Sequence, residues 1–213
     1  MFSSTITILL IICYLVAGTS IVFYTLKNGI APMPTSTKVK RDLLSMIKSI
    51  DRKPGSVQMI YELGSGTGSL SCAISRQMTS ATVIACENSP IPYAFSVIRA
   101  KLTRCQNLIL KRESFDQLDI TPAELIICYL STEIMVNLSS KFKKELRSGS
   151  FIISHTFALP KWTPEKIIYV NDFYRTPIYL YRVQWFFTLY DWGYISMIRS
   201  SQITQIWLNL HEY

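Results

Sequence analysis

VQMIYELGSGTGSLSCAISRQM, residues 57–78, decides the fold. It divides into an apolar run (57–63), a turn of alternating glycines (Gly64, Gly66, Gly68) and a stretch from Ser69 to Met78 with helical character. A glycine-rich passage from strand to helix lets a ligand approach the backbone, because no Cβ intervenes and positive φ becomes accessible. Dinucleotide folds space such glycines as G-x-G-x-x-G. Here the spacing is G-x-G-x-G, with an acid, Glu62, two residues before the first glycine. The turn therefore points away from NAD and towards another nucleotide-like ligand at the carboxyl end of a first strand.

Downstream, apolar runs alternate with helical stretches. ATVIACE (81–87) precedes Ile91–Leu102, and NLILKRE (107–113) is followed by little helix. ELIICYL (124–130) precedes Glu133–Leu146, and SFIISHTFA (150–158) comes next. This order predicts an α/β, Rossmann-like sandwich: a mostly parallel sheet with helices on both faces. The strand runs are continuous rather than alternating, as in strands covered on both sides. KIIYV (166–170) and PIYLYRVQWFFTLY (177–190) are aromatic and β-branched, and predict one or two late strands, antiparallel at the sheet edge. Residues 191–213 form a tail without motif or clear period.

Upstream, Lys38–Ile50 carries Val39, Leu43, Leu44, Met46, Ile47 and Ile50 at helical spacing. Asn28–Thr37 (NGIAPMPTST) is rich in breakers and predicts a linker. Thr5–Leu26 has no charged residue and is long enough to cross a bilayer core of about 30 Å. It lacks the basic start of a cleaved signal and exceeds the usual signal core, so it predicts one transmembrane helix. Domain boundaries follow: an anchor at 1–27, a linker at 28–37, a domain at 38–190 and the tail at 191–213. Lys27, Lys38, Lys40, Arg41, Lys48, Arg52 and Lys53 follow the span and no cation precedes it, which places the domain on the cytoplasmic side of a single-pass membrane protein. A bacterial inner membrane is preferred to a mitochondrial one, because the segment lacks the Arg-rich look of a transit peptide.

The net charge of +8 is explained by anionic lipid beside the span, and no nucleic-acid signature accompanies it. The five cysteines form no C-x-x-C pair, which predicts reduced thiols and no metal site.

The Glu62 to Gly68 pattern resembles motif I of the class I S-adenosylmethionine-dependent methyltransferases. The resemblance implies that Gly64, Ser65, Gly66 and Gly68 pass under the methionine part of the cofactor, S-adenosylmethionine, with Glu62 near its cationic groups. It implies that Glu87, ending the second strand, accepts bonds from both ribose hydroxyls. Glu113-Ser114-Phe115, ending the third, would meet the adenine, although an Asp is usual there. A narrower resemblance rests on 127–166, with Pro160, Trp162 and Pro164 as Pro-x-Trp-x-Pro. It is to a small membrane-anchored family that includes the mitochondrial ATP synthase c-subunit lysine methyltransferase and its bacterial relatives. This implies transfer of a methyl group to a protein lysine at a membrane, with Tyr129 and Ser131 facing the substrate and Glu133 taking the amine's proton.

Three alternatives stay open. The methyl acceptor is a protein or a small lipophilic molecule, or the domain is a non-catalytic tethered module that keeps the fold. Tyr129 reads equally as an ordinary strand-end aromatic, and for Glu133 an acid in the first turn of a helix is also explained by the macrodipole. His155, inside an apolar strand, reads as a satisfied core residue. Lys141-Phe142-Lys143-Lys144 reads as a solvated helix face, Trp162 as a packed corner, and Trp185-Phe186-Phe187 as a strand or a membrane contact.

Overall fold

A computed structural model describes residues 2–28, 35–51 and 55–184. Its elements, in chain order, are α1 (Phe2–Asn28), α2 (Thr37–Ile50), β1 (Met59–Leu63), α3 (Ser69–Gln77), β2 (Thr82–Cys86) and α4 (Pro90–Leu102). They continue with β3 (Leu108–Lys111), β4 (Leu125–Cys128), α5 (Thr132–Glu145), β5 (Phe151–His155), β6 (Lys166–Tyr169) and β7 (Pro177–Arg182). The strands form one sheet in the order β3-β2-β1-β4-β5-β7-β6. The first five strands run parallel, and β7 enters antiparallel between β5 and β6.

The expected alternation is realised, including the missing helix after β3. Residues 114–123 instead return through turns that bury Leu118 and Ile120. Among the described residues the late strands are two and antiparallel, as expected. The remainder of the 177–190 run, with Trp185-Phe186-Phe187, and the 191–213 tail lie outside the described residues.

Sequence periodicity explains which face each element buries. In β1 and β4, Ile60, Leu125 and Ile127 pack with α2 (Val39, Leu43, Met46, Ile47) and α3 (Leu70, Ile74) in one core cluster. Their neighbours one residue on point to the opposite face, because side chains alternate along a strand. There the Cys128 thiol meets the Met135 sulfur of α5 at 3.8 Å, and Met135, Leu138 and Phe142 are buried. Phe142 is fully buried, which corrects part of the solvated reading of 141–144; only Lys143 and Lys144 face water. Ser36 caps α2 by accepting the Val39 N–H at 3.3 Å. Each of the four buried α2 side chains contributes roughly 2 kcal/mol of burial, which fixes α2 beneath the sheet.

α1 is long and apolar enough over Ser4–Leu26 to cross a membrane, and none of that window is buried. Its final turns lie against the domain near α4.

Candidate active site

The ends of β1 and β2 build the site. Gly64 and Ser65 donate their N–H groups to the Cys86 carbonyl, both at 2.9 Å, so the turn after β1 is tied to the end of β2. Gly68 donates to the Ser65 carbonyl at 3.0 Å and closes the turn, while the Arg99 guanidinium of α4 holds the Thr67 carbonyl at 3.0 Å. Two of the glycines do different work. Gly66 has φ +55°, and a Cβ there would meet nothing within 4 Å, so its open side faces the pocket. Gly68 has φ +71°, and a Cβ there would lie 2.8 Å from the Ser96 Cβ, so it lets the turn press on α4.

Glu87 clasps this turn. One carboxylate oxygen accepts the Gly66 N–H and the other the Ser89 N–H, each at 2.8 Å. Each oxygen keeps a further lone pair for a vicinal diol. Glu62 is buried on the α3 side of β1, where the Ser71 hydroxyl donates to it. Burial pushes its carboxyl up to about 7; the Ser71 bond pulls it back, the Glu87 charge raises it further and Lys40 lowers it. Lys40 reaches from α2 to the start of α3, donating to the Ser69 hydroxyl at 2.6 Å. Nothing in the sequence pattern singled out Lys40, because only the packing of α2 brings it to the motif.

Around these groups lies a cleft of about 310 Å³, within the roughly 300–1,000 Å³ usual for ligand sites. Glu62, Gly64, Ser65, Gly66, Glu87, Glu113 and Tyr129 line it. Gly68 does not, since it serves packing. Ser114 does not either: its hydroxyl bonds the Asp116 carboxylate at 3.1 Å, and Phe115 takes its place in the lining. Glu113 pairs with Lys111 at 3.3 Å. Ser65 Oγ is buried without a hydrogen-bond partner among the described residues. An orphaned hydroxyl, an open glycine face and paired carboxylates fit a cationic adenosyl ligand with a ribose diol.

At the end of β4 the Tyr129 ring stacks on His155, centroids 4.1 Å apart at 22°, and lies 6.1 Å from Phe157. His155 is buried as expected but is not satisfied, since its Nε2 has no partner among the described residues. Burial lowers its pKa to about 4, so the ring is neutral near pH 7. Thr156 sits at φ +69°, a conformation β-branched residues rarely adopt, and its N–H bonds the Pro177 carbonyl at 2.9 Å. Ser131 precedes α5 with a buried hydroxyl that has no hydrogen-bond partner among the described residues, and it does not line the cleft. Glu133 is exposed in the first turn of α5 and also lies off the lining, where the macrodipole accounts for it. Trp162 is the packed corner: its indole N–H donates to the Ser139 hydroxyl at 2.8 Å.

Among residues the sequence did not indicate, Ser20, Tyr24 and Thr25 of α1 line the cleft, as does Thr35. A charge-free helix gives no sequence signal for such a role.

A Rossmann-like sheet with this turn, this acid pair and an antiparallel β7 defines a class I S-adenosylmethionine-dependent methyltransferase. A family model described as the ANTKMT methyltransferase domain matches residues 62–166. A protein-lysine N-methyltransferase of Saccharolobus islandicus (strain REY15A) is 27% identical over 142 residues, covering 66% of this chain and 84% of that protein. Among solved structures, an RNA methyltransferase from Salinibacter ruber in complex with S-adenosyl-L-homocysteine superposes with a TM-score of 0.64 at 20% identity. It covers 73% of this chain and 97% of that one. The ribosomal protein L11 methylase of Lactobacillus delbrueckii subsp. bulgaricus gives 0.55 at 18% identity, covering 68% and 80%. These two structures share the fold at low identity, so fold does not choose the acceptor.

Proposed function

We propose that this methyltransferase modifies a protein lysine at a membrane that α1 crosses, with the domain on the cytoplasmic side. The similarity to a protein-lysine N-methyltransferase over two thirds of the chain carries the choice of lysine. The apolar length of α1 and its contribution to the cleft support the membrane.

When bound, S-adenosylmethionine supplies a methyl group activated by its sulfonium. Glu62 offsets the cofactor's positive charge, Glu87 holds the ribose while fixing the turn, and the Gly66 face admits the backbone approach. Tyr129, braced by His155, provides a flat wall against which the lysine's alkyl chain lies. With the cofactor bound, the neutral ε-amine would form the N–C bond as the C–S bond broke and its electron pair returned to sulfur, and the surplus proton on nitrogen would pass to water. A lysine with a pKa near 10.4 must first lose a proton, and the half-buried cleft disfavours its ammonium form. Holding amine and methyl in line supplies much of the rate.

The test is the full chain in native membrane vesicles with methyl-labelled cofactor. Label in precipitated protein that hydrolyses to methyl-lysine is expected. Label that partitions into organic extract instead would establish a small lipophilic acceptor, and absence of transfer would leave a tethered module.

A further inference from the structure

The β6–β7 hairpin turns at the same end of the sheet as the cleft, because β7 starts where the parallel strand β5 ends, with His155 opposite Ile178. Its tip, Asn171–Thr176, is a defined turn. Asp172 accepts the Thr176 N–H at 2.9 Å and the Thr176 hydroxyl at 2.6 Å, and Val170 donates to the Thr176 carbonyl at 2.9 Å. A turn this well bonded nonetheless presents Phe173 at 93% exposure and Tyr174 at 83%, with their rings edge to face at 5.3 Å. Arg175 lies 5.8 Å over the Tyr169 ring, and Tyr169 is itself 61% exposed. Lys38, at the start of α2, donates to the Asn171 carbonyl at 2.9 Å. The tip is thus bonded to the chain just beyond α1.

We propose that this tip is a second membrane contact, with Phe173 and Tyr174 in the headgroup layer of an anionic bilayer and Lys38 and Arg175 beside its phosphates. The inference rests on the reading of α1 as a membrane span. Ser20, Tyr24 and Thr25 line the cleft, which leaves Phe2–Thr19 to cross the bilayer. Those residues rise about 27 Å, against a hydrocarbon core of about 30 Å. The apolar turns of α1 before Ser20 are no longer than that core, so the end of the sheet that carries the cleft lies against the headgroups. α1 meets the domain at α4, which packs on β3, and the hairpin occupies the opposite edge, with β7 five strand positions from β3. At roughly 4.8 Å per strand the two contacts stand about 24 Å apart, with the cleft between them. Exposed aromatic rings beside cations are the side chains that settle at a membrane interface. The arrangement brings the cleft to acceptor amines within or just above the headgroups.

The experiment uses the full chain in phosphatidylcholine–phosphatidylglycerol vesicles, with nitroxide labels read by collision with oxygen and with a water-soluble nickel chelate. Phe173→Cys and Tyr174→Cys are labelled separately in a Cys13→Ser, Cys105→Ser background. Ser148→Cys, exposed at the far end of the sheet, gives the aqueous reference. Native Cys13, exposed within α1, reports the span itself. Cofactor binding by each labelled protein verifies its fold. The expected result is a several-fold loss of nickel collisions at 173 and 174 relative to 148, with Cys13 deeper still. Deep Cys13 with aqueous tip labels would overturn the tip contact and leave the span standing. An aqueous Cys13 would sink the membrane reading and this inference with it. Tip labels that become shielded only when an acceptor protein is added would replace the bilayer with a protein partner.

Discussion

Cofactor affinity should depend on pH through Glu62. Its carboxyl, raised to about 7 by burial, is largely protonated below that value, whereas a cationic ligand is favoured by the ionised form. Between pH 5.5 and 7 the cofactor's α-amino group, with an ordinary value near 7.7–8.0, stays mostly protonated, so the protein group dominates. If only ionised Glu62 supports tight binding, apparent affinity scales with the ionised fraction and rises about 16-fold over that interval, roughly 1.6 kcal/mol. Isothermal titration at several pH values measures the slope, and buffers of different ionisation enthalpy count the protons released, close to one per cofactor at pH 5.5. Glu62→Gln should bind more weakly at pH 7 and lose the slope. A flat wild-type profile, or the same slope in Glu62→Gln, would refute the assignment. The same shift has a stability side: the native state disfavours ionised Glu62, so its contribution is intact below about 4.5 and is lost as pH rises towards 7.

Lys40→Met removes a cation that lowers the Glu62 carboxyl, so the midpoint of the affinity profile should move above 7 in the same titration. Gly68→Ala places a methyl 2.8 Å from the Ser96 Cβ in a left-handed conformation. It should cost about 2–4 kcal/mol in urea unfolding, partly recovered by Ser96→Gly. His155, with its pKa lowered to about 4 from 6.5, contributes stability that is full above 6.5 and is lost as pH falls towards 4, by up to about 3 kcal/mol. Denaturant melts of His155→Phe across that range should lack this acid sensitivity.

The backbone plan was legible because its signals are local. Continuous apolar runs mark buried parallel strands, and the glycine turn marks the end of β1. Glu62 and Glu87 were legible for the same reason, since each stands at the end of a strand next to a turn. Lys40 and Ser20 were not, because only tertiary packing of α1 and α2 brings them to the turn. Ser114 failed at the scale of one bond: a serine two residues before an aspartate closes its own turn onto Asp116, which hands the lining to Phe115. Glu133 matched a role by position alone, and α5 points it to water. That the Nε2 of His155 has no partner among the described residues is likewise invisible in an apolar run such as FIISH.

Removing an apolar leader to obtain a soluble enzyme is ordinary practice, and here it would alter the quantity under study. With Ser20, Tyr24 and Thr25 among the residues around the cleft, excision of α1 opens one side of the cofactor's compartment to bulk water. The trimmed protein should release its cofactor faster than the intact chain while keeping the same sheet. Its turnover numbers would then describe a leakier vessel than the intact chain.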